Sequence, residues 1–177
     1  MSGLIHLYCG DGKGKTTAAT GLSIRAAGNS MKVVFCQFMK GRDTSELNIL
    51  NDIPQITVVR CEKDFGFYST MTEETKAAAK RAYNDILAKA VQLAREYGKT
   101  GRCLVVFDEI TYAWEYGFID RGVLTDFVDS RSEGTEIVFT GRNPDKFFVD
   151  RADYISEIVK VKHPYDRGIQ ARKGIEY

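Results

Sequence analysis

The chain has 177 residues and a formal net charge of +1, with 44% hydrophobic and 28% charged residues. This composition is typical of a soluble globular protein with a sizeable core. The near-zero net charge excludes a general electrostatic attraction to nucleic acid or to a membrane surface. No apolar stretch approaches the ~20 residues that span a bilayer, and the first residues lack the features of a signal peptide. We therefore expect one cytoplasmic domain over residues 1–177, with no nucleic-acid or membrane partner.

A glycine-rich segment follows the first strand-like run, residues 4–9, and precedes a helical pattern from Ala18 to Ala27. This order predicts a phosphate-binding loop that opens a helix on Gly-Lys-Thr. Glycines let backbone N–H groups converge on an anion, which the helix N-terminus also attracts. Lys15 supplies a charge for the outer phosphates, and the Thr16 hydroxyl is a candidate Mg²⁺ ligand. The candidate loop residues are Gly10, Asp11, Gly12, Lys13, Gly14, Lys15, Thr16 and Thr17.

The spacing of this loop departs from the usual pattern. Four residues normally separate the first glycine from Gly-Lys. Here Gly10 and Gly14 leave three, and Cys9 stands where the first glycine is expected. We therefore expect the phosphates to lie differently from those in an ordinary ATPase.

Strand-like runs and helical patterns alternate along the chain. The strand-like runs lie at residues 4–9, 32–38, 56–60, 103–107, 135–140 and 154–161. Most are near-continuous apolar runs, which are typical of a parallel sheet covered on both faces. The clearest helical pattern extends from about Thr72 to Tyr97, with Thr70 or Thr72 as its cap and Gly98 as its end. Shorter helices are predicted at 119–129 and 144–151. The alternation predicts an α/β fold of three α/β/α layers, like that of phosphate-loop NTPases, with a mostly parallel sheet of about six strands.

Polar residues follow two of these strands. Asp108 and Glu109 come directly after the run at 103–107. In phosphate-loop proteins, such carboxylates hold Mg²⁺ directly or through water. Glu109 has two possible roles at this stage, as the base that activates water in an ATPase or as a second metal ligand. Arg142 follows the run at 135–140, where it either contacts a phosphate or is an ordinary loop arginine.

The four cysteines form no Cys-x-x-Cys pair, and each lies in or beside a strand-like run. We expect buried, reduced thiols rather than zinc ligands or disulfides. Trp114 is expected in the core.

The tail completes a family signature. The chain resembles the bacterial ATP:corrinoid adenosyltransferases typified by the CobA, CobO and BtuR proteins, over nearly its whole length. The anchors are residues 10–17, Gln-Phe-Met-Lys-Gly at 37–41, Asp-Glu-Ile-Thr-Tyr at 108–112, Thr-Gly-Arg at 140–142, and the tail at 161–177. The shortened phosphate loop is itself a trait of this family.

The resemblance implies a reaction. ATP donates its 5′-deoxyadenosyl group to the Co(I) of a corrinoid, cobalamin or cobyrinic acid a,c-diamide, and triphosphate leaves, in adenosylcobalamin biosynthesis or salvage. It also implies ATP bound in the reverse sense along the loop, Mg²⁺, a flavoprotein electron donor and a homodimer. The alternative is a phosphate-loop ATPase or nucleotide kinase with Glu109 as its base.

The resemblance also assigns site residues. Lys15, Thr16 and Glu109 match the catalytic positions, and Thr16, Glu109 and Asp108 match the metal site. Co(I) has no proton to lose, so this chemistry favours Glu109 as a metal ligand over Glu109 as a base. Arg25 matches a family arginine near the nucleotide, with a solvent-facing arginine as the rival interpretation.

Other matches lie outside the strand ends. Lys40 and Gly41 match a loop near the ligand. The tail, with His163 and Asp166, matches a segment near the nucleotide, although a structural hydrogen bond explains His163 equally well.

Two departures from the family pattern concern the corrinoid site. The family's Phe-x-Trp pair aligns with Phe67 and Ser69, so the tryptophan is replaced by serine. The aromatic residues Phe65, Phe67 and Tyr68 either form the apolar wall against the lower face of the corrinoid or simply pack the loop. In the family pattern an extra segment precedes the first strand, whereas the first strand-like run of this sequence begins at residue 4. We therefore expect a corrinoid pocket that is more open or is closed by a partner subunit.

Overall fold

The computed structural model describes residues 3–41 and 44–177. Its strands are β1 (Ile5–Cys9), β2 (Lys32–Gln37), β3 (Ile56–Arg60), β4 (Cys103–Asp108), β5 (Thr135–Thr140) and β6 (Tyr154–Glu157). Its α-helices are α1 (Lys15–Gly28), α2 (Glu46–Leu50), α3 (Glu73–Thr100), α4 (Ile110–Glu115), α5 (Arg121–Ser130) and α6 (Lys146–Arg151), with 3₁₀ turns at Tyr68–Thr70 and Pro164–Arg167. No helix in these two ranges has the length and apolar character needed to cross a bilayer.

The six strands form one sheet in the order β3-β2-β4-β5-β1-β6, and every pairing is parallel. The prediction of an α/β fold with a parallel sheet of about six strands is confirmed. Strand β5 lies between β1, which carries the phosphate loop, and β4, which carries Asp108. The carboxyl ends of all three strands meet at one edge of the sheet, where ligands bind in such folds.

Helices cover both faces of the sheet. On one face, alanines of α1 pack against alternate residues of β2 and β4, including Val33, Phe35 and Val106. On the other face, α3, α4, α5 and α6 cover a larger core that includes Phe107 and Phe139. Strands that are buried on both faces need apolar residues at nearly every position, which explains their near-continuous apolar sequences.

The ends of α3 follow the sequence prediction at one end only. Thr72 caps the helix, and its side chain accepts a hydrogen bond of 3.2 Å from the Thr75 N–H. Gly98 does not end the helix, which continues to Thr100 and is followed by Gly101. A Cβ at position 98 would collide with the Ser132 hydroxyl, so this glycine permits close packing and does not terminate the helix.

Strand β6 is shorter than the apolar run at 154–161 predicted. After Glu157 the chain leaves the sheet, and the Ile158 N–H donates to the Cys9 carbonyl over 2.8 Å. The run continues as an exposed segment beside the phosphate loop rather than as a strand.

Candidate active site

A cleft of about 870 Å³ opens at the carboxyl edge of the sheet. It brings together the phosphate loop and residues that are distant in sequence. Of the residues considered above, its lining includes Asp11, Gly12, Lys13, Gly14, Lys15, Thr16, Thr17, Lys40, Gly41, Phe67, Glu109, Arg142 and His163. Residues 174–177 of the tail line the same cleft.

The tail holds the phosphate loop in place. The Gly12 N–H donates to the Ile158 carbonyl over 2.7 Å, and the Lys160 N–H donates to Asp11 Oδ1 over 3.0 Å. A Cβ on either Gly10 or Gly12 would collide with the backbone of Ile158. These two glycines therefore allow the tail to approach, a reason for glycine that the loop motif alone did not indicate.

Lys15 is folded back onto its own loop. Its Nζ donates to the Gly10 carbonyl over 2.9 Å and to the Gly12 carbonyl over 3.0 Å. The side chain is buried, and desolvation lowers the pKa of its ammonium, with the Glu109 carboxylate acting in the opposite direction. The positively charged ammonium of Lys15 therefore lies at the centre of the loop, where burial removes part of its hydration shell.

A hydrogen-bonded network joins three strand ends at Asp108. The carboxylate is fully buried, and its Oδ1 accepts from Thr16 Oγ1 over 2.9 Å and from Thr140 Oγ1 over 2.7 Å. Its Oδ2 accepts from Lys40 Nζ over 2.7 Å, and the same ammonium donates to Thr16 Oγ1 over 2.8 Å. Asp108 therefore orients the Thr16 hydroxyl from behind and does not itself face the cleft.

Of the two adjacent carboxylates at the end of β4, Glu109 is the one that lines the cleft. Its backbone has a left-handed conformation with φ of 58°, and its N–H donates to Thr140 Oγ1 over 2.9 Å. Burial, and then the charge of neighbouring Asp108, raise the pKa of Glu109 above its usual value. A partly buried carboxylate beside another carboxylate is stabilised in its ionised form by a nearby cation.

The two arginines considered as nucleotide contacts, Arg25 and Arg142, lie in different places. Arg142 follows β5 and lines the cleft, where the Thr111 hydroxyl donates to its backbone carbonyl over 2.9 Å. Arg25 is exposed on α1, about two and a half turns beyond Thr16, and is not part of the cleft lining. Its role near a nucleotide stays a prediction, and its exposure agrees with the rival interpretation of a solvent-facing arginine.

The aromatic residues divide in the same way. Phe67 lines the cleft with 76% of its surface exposed. Phe65 packs edge-to-face against Tyr83, and Tyr68 stacks on Tyr116 with ring centroids 4.0 Å apart. Of the three aromatics considered as a corrinoid wall, Phe67 alone lines the cleft, whereas the other two pack the loop.

Trp114 is buried against Phe147 and Phe148, which confirms its expected place in the core.

The two candidate tail residues have structural partners. His163 caps the 3₁₀ turn at Pro164–Arg167, where its Nδ1 accepts from the Tyr165 N–H over 3.1 Å. Asp166 is exposed and pairs with Lys160 over 3.1 Å. These contacts favour the structural interpretation of His163, although its ring lines the cleft.

The described residues contain no cluster of three or more His, Cys, Asp or Glu side chains arranged to hold a metal ion. Mg²⁺ does not need such a cluster, since it binds through one or two carboxylates together with substrate phosphates. The Thr16 hydroxyl and the Glu109 carboxylate are hard oxygen donors beside the loop, so they fit this requirement.

Comparison with known proteins identifies the family. The family model described as ATP:corrinoid adenosyltransferase BtuR/CobO/CobP matches residues 1–177. The chain belongs to this family. The family resemblance inferred from the motifs is therefore confirmed, and the protein is a member of a corrinoid adenosyltransferase family, that is, a family of transferases.

Two curated relatives of this adenosyltransferase family member illustrate the similarity. A corrinoid adenosyltransferase of Escherichia coli strain K12 is 31% identical over 99% of this chain and 86% of its own length. One from Sinorhizobium sp is 33% identical over 99% of this chain and 80% of its own length. Among solved structures, the Aeropyrum pernix ORC2 protein in its ADPNP and ADP complexes has 15% identity and a TM-score of 0.45, over 90% of this chain and 42% of that one. This last likeness bears on neither site nor function.

Proposed function

We propose that the protein transfers the 5′-deoxyadenosyl group of ATP to the Co(I) of a corrinoid and releases triphosphate. The observation that carries the proposal is the shared cleft, in which Lys15, Glu109 and the exposed Phe67 face the same space. The phosphate loop offers a charged surface for a triphosphate, and the exposed Phe67 ring offers an apolar surface for a corrin ring. Membership of the family supports the same substrates.

In the proposed step, the cobalt attacks C5′ of ATP. A Co–C bond forms, the bond between C5′ and the α-phosphate oxygen breaks, and its electron pair leaves on the triphosphate. Co(I) is a nucleophile with no proton to lose, so the step needs no protein base. It needs stabilisation of a highly charged leaving group, which Lys15 and the N-terminus of α1 supply.

We assign Mg²⁺ to the Thr16 hydroxyl and the Glu109 carboxylate, where it would neutralise charge on the triphosphate. Asp108 and Thr140 hold these two groups in position through hydrogen bonds to Thr16 Oγ1 and to the Glu109 N–H. The raised pKa of Glu109 supports this assignment, because the cation would favour the ionised form that burial disfavours.

The remaining partners are proposed from the chemistry and from the family resemblance. Reduction of cobalt(II) to cobalt(I) requires one electron, for which we propose a flavoprotein donor. All four cysteines are free thiols, which suits a reducing cytoplasm. We propose a homodimer, as the family resemblance implies.

The test supplies ATP, Mg²⁺ and chemically reduced cobalamin. We expect a light-sensitive product with the absorbance of a Co–C bond, together with triphosphate. The rival is a phosphate-loop ATPase or kinase with Glu109 as base, which the raised pKa of Glu109 also suits. Formation of ADP or phosphate without a light-sensitive corrinoid would contradict the adenosyl transfer.

A further inference from the structure

Lys40 occupies the space beside the Thr16 hydroxyl. A hydroxyl has one proton and two acceptor lone pairs. The proton of Thr16 goes to Asp108 Oδ1, and the Lys40 ammonium donates to Thr16 Oγ1 over 2.8 Å. Lys40 occupies one of these lone pairs, and its ammonium charge would repel a metal ion ligated through the other, so Lys40 and the metal compete for the space beside this oxygen.

The backbone holds Lys40 firmly in this position. Phe38 is fully buried, and its N–H donates to the Asp108 carbonyl over 2.9 Å. Met39 then turns the chain with a φ of 54°, a conformation that costs a non-glycine residue roughly 1–2 kcal/mol and persists only where the surroundings require it. Arg60 Nη2 donates to the Lys40 carbonyl over 3.4 Å. These backbone contacts therefore fix the position from which the Lys40 side chain reaches Asp108 and Thr16.

The charge balance of the site depends on Lys40. Asp108 is fully buried, and its other two side-chain partners are the neutral hydroxyls of Thr16 and Thr140. A buried carboxylate without a cation is strongly unfavourable. Lys40 Nζ lies 2.7 Å from Asp108 Oδ2 and provides that cation. Lys40 also lines the cleft, so its side chain has open space into which it can move.

We propose that Lys40 is a built-in cation that holds the metal position beside Thr16, so that the divalent ion binds only together with a triphosphate. The incoming ion replaces the Lys40 ammonium as the positive charge next to Asp108. The displaced ammonium then donates hydrogen bonds to oxygens of the triphosphate. This inference rests on the metal placement in the proposed function. It adds an order of binding, in which metal and nucleotide enter as one unit.

The test uses Mn²⁺ as the probe and measures protein-bound Mn²⁺ by equilibrium dialysis, because tripolyphosphate itself chelates Mn²⁺ and would lower the concentration of the free ion without any protein. Without nucleotide, Lys40→Met is expected to bind Mn²⁺ roughly tenfold more tightly than the wild type, or better, because the competing charge is gone. With tripolyphosphate present, the wild type is expected to bind Mn²⁺ and the difference to shrink. Lys146→Met is the matched control, since it removes an exposed lysine paired with Asp150 on α6 and is expected to match the wild type.

Two outcomes would overturn the inference. One is a wild-type protein that binds Mn²⁺ as tightly alone as with tripolyphosphate. The other is equal Mn²⁺ affinity of Lys40→Met and the wild type without nucleotide. Should that variant fail to fold, Lys40→Gln takes its place, because its amide can still donate to Asp108 without a charge. A protein that forms adenosylcorrinoid but shows either outcome refutes the inference alone and leaves the proposed function intact.

Discussion

Thr140→Val tests the network behind the cleft with a minimal change. The substitution removes one hydroxyl from the end of β5 and leaves a side chain of nearly the same shape. In the structure, Thr140 is fully buried, donates to Asp108 Oδ1 over 2.7 Å and accepts from the Glu109 N–H over 2.9 Å. The variant therefore loses two hydrogen bonds and leaves a buried carboxylate with one donor fewer.

The expected loss follows from these two bonds. A hydrogen bond to an ionised group contributes about 1.5–3 kcal/mol and one to a neutral group about 0.5–1.5 kcal/mol, so the free energy of unfolding should fall by about 2–4.5 kcal/mol. Activity should fall as well, because Glu109 loses the contact that holds its left-handed backbone. We expect adenosyl-transfer kcat/KM to drop by roughly ten- to a hundredfold.

The measurement combines urea denaturation with the rate of adenosylcorrinoid formation. Thr135→Val is the matched control, because Thr135 is a buried threonine at the other end of β5 whose hydroxyl contacts the neutral groups of Ser132 and Cys103. It should cost about 1 kcal/mol and leave kcat/KM unchanged. Equal losses of stability in the two variants, with activity retained in both, would refute the role assigned to Thr140.

Three further predictions concern the cleft itself. Lys15→Ala should reduce triphosphate release by at least about a hundredfold, whereas the control Lys32→Ala, at an exposed position, should not; normal triphosphate release by the first variant would contradict the loop assignment. Glu109→Gln should impair activity yet raise the free energy of unfolding at pH 7. The pKa of Glu109 is higher in the folded state than its unfolded value of 4.5. The folded state is therefore favoured while Glu109 is protonated, and this stability is lost as the pH rises through the folded pKa. Glutamine stays neutral at every pH and avoids that loss. The gain should therefore vanish near pH 4 in denaturation experiments, and equal stability at pH 7 would count against it. Phe67→Ala should slow turnover of cob(II)alamin with a reductant more than turnover of pre-reduced cob(I)alamin, with stability changed by less than about 0.5 kcal/mol because the side chain is exposed; equal kinetic effects would remove its proposed role.

Much of the fold could be predicted from the sequence, because strands buried on both faces leave near-continuous apolar runs. The short helices α2 and α4 were not predicted, since their five and six residues contain too little helical periodicity, although α6, also of six residues, lies within the helix predicted at 144–151. The prediction that the last strand extends to residue 161 was also wrong, since β6 ends at Glu157. The largely exposed segment at 158–161 has the composition of a strand, and only its hydrogen bonds to Gly12 and Asp11 show that it supports the phosphate loop instead.

The candidate site shows the same division. Motifs located the phosphate loop, Asp108 and Glu109, because their chemistry depends on residues that are adjacent in sequence. The roles of Thr140 and Lys40 depend on contacts with Asp108 across 32 and 68 positions of the chain. Those contacts exist because β4 lies between β2 and β5, and this strand order is not encoded in any local pattern.

In the proposed reaction, the phosphate loop holds the leaving group while the bond is formed at C5′. ATP labelled with ¹⁸O at the oxygen that joins C5′ to the α-phosphate tests it directly, with reduced cobalamin as the acceptor and mass spectrometry of the released polyphosphate. Attack at C5′ leaves that oxygen on the triphosphate, so we predict labelled triphosphate in equal amount to adenosylcorrinoid. Unlabelled phosphate with the ¹⁸O retained in ADP would show cleavage at the γ-phosphate and contradict attack at C5′.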